Sequence, residues 1–119
     1  MSERLVTMHV PADVPYRTVV GAVAGSLGGE PAQRATEAAF DHALALVVSA
    51  HCIDASFESE PEGLRVELAV DGRKDREDRA VDAKAWKAIR EASIHAEVKD
   101  GERGPVIRFL MPRTDRSEG

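Results

Sequence analysis

The sequence predicts an α+β fold: a two-layer α/β sandwich, with helices on one face of an antiparallel or mixed sheet. Three observations lead there. Short runs that alternate apolar and polar residues recur along the chain, as at 4–10 (RLVTMHV) and 64–70 (LRVELAV), and period two is the signature of a half-buried strand. Between them lie longer stretches whose apolar residues fall three or four apart, the helical spacing. The strands come in pairs around Pro/Gly turns with helices between them. That arrangement gives the order βααββαββ and favours antiparallel hairpins over parallel crossovers.

At 119 residues the chain has the length of one domain, expected at 1–112, followed by a polar, disordered tail at 113–119. The aromatics are only Trp86, Tyr16, Phe40, Phe57 and Phe109, so the core is expected to be mainly Val, Leu, Ile and Ala. Sixteen Lys and Arg against 21 Asp and Glu leave a net charge of −5. The basic pair Arg73-Lys74 is followed at once by acids, so no surface attracts a phosphate backbone and nucleic-acid binding is not expected. A single cysteine, Cys52, excludes an internal disulfide and suits a reducing compartment. No signal-peptide pattern or membrane-length apolar stretch appears, and the expected location is cytoplasmic, with no membrane partner.

The elements follow in order. Residues 4–10 form a β-branched, alternating strand that Pro11 ends. Asp13 is placed to cap a helix with Pro15 in its first turn. That helix runs through Tyr16, Val19, Val20, Val23 and Leu27 to a stop at Gly28-Gly29. Gly21 and Gly25 in its middle either weaken the helix or admit another backbone closely; the sequence leaves both readings open. A second helix begins near Glu30-Pro31 and runs to about Ala50. Residues 53–58 and 64–70 alternate around Glu60-Pro61-Glu62-Gly63, which reads as a hairpin with Leu64, Val66, Leu68 and Val70 facing the core. Asp71-Gly72 closes that second strand, and the charged run 73–79 is expected to be a solvated loop or helix start. Val81, Ala85, Ala88, Ile89 and Ala92 mark a third helix over 80–92, with Trp86 just beside the stripe. Two more strands, 94–98 and 106–111, flank the turn at 99–105.

The stretch Ala38-Ala39-Phe40-Asp41-His42-Ala43-Leu44-Ala45-Leu46-Val47-Val48 raises the question of function. Only Asp41 and His42 interrupt it, and an ionisable pair in an apolar helix costs desolvation energy unless a partner or a cleft receives it. The plainer reading pairs Asp41 with an Arg or Lys and leaves His42 as a structural histidine. The sharper one makes them part of a site.

The element order and several words of sequence resemble the anti-sigma-factor serine kinases of the GHKL (Bergerat-fold) superfamily, which share the histidine kinase-like ATPase fold. Val10-Pro11-Ala12-Asp13-Val14-Pro15-Tyr16-Arg17-Thr18-Val19-Val20 is similar to that family's start. Phe40-Asp41-His42-Ala43-Leu44-Ala45-Leu46-Val47 is similar to the helix carrying its N-box. Val70-Asp71-Gly72 falls at the Asp-x-Gly-x-Gly adenine motif, and Asp82-Ala83-Lys84-Ala85-Trp86-Lys87-Ala88-Ile89 where a glycine-rich lid gives way to a helix. The resemblance spans about 4–111.

What it implies about chemistry is a loss. The N-box needs a Glu followed four residues later by an Asn that holds Mg²⁺ on the ATP phosphates. One register puts His42 and Leu46 there, the other Asp41 and Ala45, and neither Leu nor Ala binds a metal ion. Asp71 is followed directly by Gly72 with no further glycine of the motif, and residues 73–90 hold no lid glycine to cradle phosphates. The resemblance therefore implies a pseudokinase: a non-catalytic, anti-sigma-factor-like bacterial regulator of transcription. Its partners would be a sigma factor or a STAS-type antagonist, with homodimerisation a further implication. No catalytic residue, metal or cofactor is expected. Asp41 and His42 would be remnants, and Asp71 and Gly72 doubtful cofactor contacts. The exposed faces near the first helix and the end of the second would meet the partner. The competing reading is a divergent serine protein kinase using ATP and Mg²⁺, with Asp41 as base and Asp71 on adenine. A third is a small-molecule sensor using the vacated cleft. His51, Cys52 and Asp54 cluster in sequence, but not at a recognised zinc spacing.

Overall fold

A computed structural model describes residues 4–74 and 83–112. The strands are β1 (Arg4–Pro11), β2 (Val47–Glu60), β3 (Gly63–Lys74), β4 (His95–Asp100) and β5 (Pro105–Pro112); the helices are α1 (Tyr16–Gly28), α2 (Glu30–Ala45) and α3 (Ala83–Ala92). The five strands form one sheet in the order β1-β2-β3-β5-β4, and every pairing is antiparallel.

Cross-strand register sorts the side chains into rows. Met8, Ala55, Leu68, Ile107 and Val98 lie side by side across all five strands, and so do Val6, Phe57, Val66, Phe109 and Ala96. These rows, with Leu64, Val70 and Met111, pack against Val20, Ala24, Ala32, Ala39, Phe40, Ala43 and Ile89 of the helices in one core. The opposite face carries rows such as Thr7, Ser56, Glu67, Arg108 and Glu97. There Arg108 sits between two carboxylates, 3.7 Å from Glu67 and 3.5 Å from Glu97, a favourable cross-strand arrangement. This is the one-sided burial that alternation implies. The buried core is mainly Val, Leu, Ile and Ala, as expected, with Phe40, Phe57 and Phe109 fully buried among them.

The helical layer is joined by small residues. A Cβ at Gly21 would lie 2.6 Å from Glu37 Cγ, one at Gly25 2.8 Å from Gln33 Oε1, and one at Gly28 3.0 Å from Ala32 Cβ. Gly21 and Gly25 of α1 therefore leave room for the side chains of Glu37 and Gln33 on α2, rather than for another backbone. Gly29, with φ 92°, is the whole link between the two helices, a backbone angle that glycine adopts without steric cost.

Several boundaries depart from expectation. Pro15, not Asp13, occupies the N-cap of α1, and no side chain caps it. Its fixed φ of −58° is already helical, and Asp13 contributes its carbonyl, which accepts from the Tyr16 N–H at 2.9 Å. The larger departure is at α2, which ends at Ala45 with Leu46 as C-cap, so 47–50 are strand rather than helix. Val47 and Val48 are β-branched and favour extended backbone, and β3 continues past Asp71 to pair with them as far as Val47↔Lys74. Two irregularities in β2, between Val47 and Ser49 and between Ala50 and Cys52, hide the period-two signal there. Cys52 lies within β2. The charged segment at 75–79, the proposed start of α3 at 80–82 and the tail at 113–119 lie outside the described residues.

Candidate functional site

The residues singled out by the sequence meet three different neighbours. Asp41 turns from α2 toward α1, where Arg17 Nη1 donates to its Oδ2 at 2.9 Å; both side chains are more than a third exposed. This is the plainer pairing of the two considered. A surface ion pair of this kind contributes up to about 1 kcal/mol.

His42, the next residue, points the other way. It is buried, 7% exposed, and its ring stacks on the half-buried indole of Trp86 with centroids 5.4 Å apart and planes 17° from parallel. Ile89, one turn further along α3, is fully buried. The pair of residues that reads as a unit in sequence is thus divided between two helices, and α3 closes directly on the face of α2 that carries His42. The sequence places Trp86 beside the apolar stripe of α3 but gives no sign of its partner, because the contact joins residues 44 positions apart.

Leu46 and Ala45, which stand where the resemblance calls for the metal-binding Asn, are the C-cap and last residue of α2. Both are aliphatic, and no donor atom of either side chain could ligate a cation.

Asp71 and Gly72 lie in β3, not at its end. Gly72 faces the irregular part of β2: a Cβ there would be 2.5 Å from the Ser49 carbonyl oxygen and 2.9 Å from Ala50 Cα. Only glycine lets the two backbones approach so closely, which explains this residue without any ligand. The β4–β5 turn then covers the other side. The Gly72 N–H donates to the Arg103 carbonyl at 3.0 Å, and Gly104 approaches so closely that a Cβ on it would be 2.3 Å from the Val70 oxygen and 2.6 Å from the Gly72 oxygen. Arg103 Nη1 stands 4.0 Å from Asp71 Oδ2.

Cys52 pairs in register with Asp71, and its thiol lies 3.9 Å from Asp71 Oδ2. Burial is the main influence pushing this thiol up from its ordinary value; the charges of Asp71 and Asp54 and the bond to Asp71 act in the same direction, while Arg103 opposes them. A thiol held protonated is a poor nucleophile and a poor metal ligand. Asp54 itself is bonded to His9 across the β1–β2 pair, and His51 is exposed. Among the described residues, no three His, Cys, Asp or Glu side chains are arranged to hold a metal ion. Between α2 and α3 a groove of about 290 Å³ is lined by Glu30, Pro31, Arg34, Ala35, Ala88 and Ala92. The ion pair of Arg34 with Glu30, 2.8 Å, borders it.

Two properties define the class of this molecule. It is a small α+β domain with a five-stranded antiparallel sheet and three helices, and none of its described helices is long and apolar enough to cross a membrane. The chain matches no family model and no curated protein.

Proposed function

We propose that this protein is a non-catalytic regulator that works by binding another protein, in the manner of an anti-sigma factor whose nucleotide chemistry has been lost. Its partner would be a sigma factor, a STAS-type antagonist, or each in turn. The observation that carries the reading is the stack of Trp86 on His42. At the N-box-like position of α2, where a GHKL kinase keeps a catalytic carboxylate facing ATP, this chain presents a histidine covered by its own indole. Support comes also from Asp71 and Gly72, whose neighbourhood is taken up by the chain's own β4–β5 turn. The apolar residues Val14 and Tyr16, 56% and 37% exposed at the start of α1, give a protein partner something to bury. Exposed apolar groups close together are the usual mark of a contact surface.

The test is capture of partners from the native host by the tagged full chain, with identification by mass spectrometry. Recovery of a sigma factor or a STAS protein, weakened by Tyr16→Asp, is the expected result. Recovery of neither from cells expressing both would overturn the proposal.

A further inference from the structure

We draw no further inference here: the strongest candidate, the groove between α2 and α3 floored by Pro31, Ala35, Ala88 and Ala92, carries nothing because its lining cation, Arg34, is already engaged by Glu30 and nothing in the structure shows what covers it.

Discussion

Gly104 shows how a single residue without a side chain can decide what occupies a site. Its backbone lies against Val70 and Gly72 at distances that leave no room for a Cβ, and the hydrogen bond from Gly72 to Arg103 depends on that approach. Gly104→Ala should therefore destabilise the protein by about 2–4 kcal/mol, read from the midpoint of urea unfolding, because the neighbour is backbone and cannot turn aside. Cys52 gives a second expectation at this scale. Its value is raised in the folded state, so the stability it contributes is present at pH below its unfolded value and is lost as pH rises through the folded one. Alkylation of the folded protein at mildly alkaline pH should be slower than that of a free thiol, and Asp71→Asn should speed it. Glu60 has the opposite sign. Arg65 donates to it at 2.6 and 3.0 Å at the β2–β3 hairpin and holds its carboxyl below the usual value of 4.5. That contribution is present above the unfolded value and is lost as pH falls through the depressed one. Arg65→Ala should thus narrow the loss of stability on acidification, measured as unfolding midpoints across the acid limb.

Among the elements, α3 is the one on whose attachment the proposed function turns. It is held to α2 by the Trp86–His42 stack and by Ile89. Trp86 is the only tryptophan, so its emission reports that contact alone. His42→Ala should shift the emission to the red, and Trp86→Ala should cost about 2 kcal/mol, less than a fully buried aromatic because the indole is half-buried. An unchanged spectrum in His42→Ala would mean that the indole does not depend on the stack. The elements were unequally legible in the sequence. Hairpin β2–β3 could be read because Leu64, Val66, Leu68 and Val70 alternate without a break up to a Pro61-Glu62 turn, and all four are buried. The helix-to-strand change at Leu46 could not. From Ala43 to Val48 every residue is apolar, so neither period shows, and the strand that claims 47–52 is itself irregular. The site was half legible: the sequence marks Asp41 and His42 as costly to bury, but the residues that satisfy them, Arg17 and Trp86, come from other helices at separations that no local pattern encodes.

At the scale of the whole molecule, the sheet divides two environments. One face holds a core in which alanine-lined helices lie close to three buried phenylalanines. The other is a polar surface of matched charges around Arg108. Asp41 is turned toward α1, His42 toward α3, and Asp71 lies beside the β4–β5 turn. On the proposed function this domain binds protein and not nucleotide, and thermal unfolding of the full chain with and without Mg·ATP decides between the two. A ligand at a hundredfold its dissociation constant adds about 2.7 kcal/mol of apparent stability, a rise of several degrees for a domain of this size. No rise is expected at millimolar Mg·ATP; a clear rise that Asp71→Ala abolishes would contradict the proposed function.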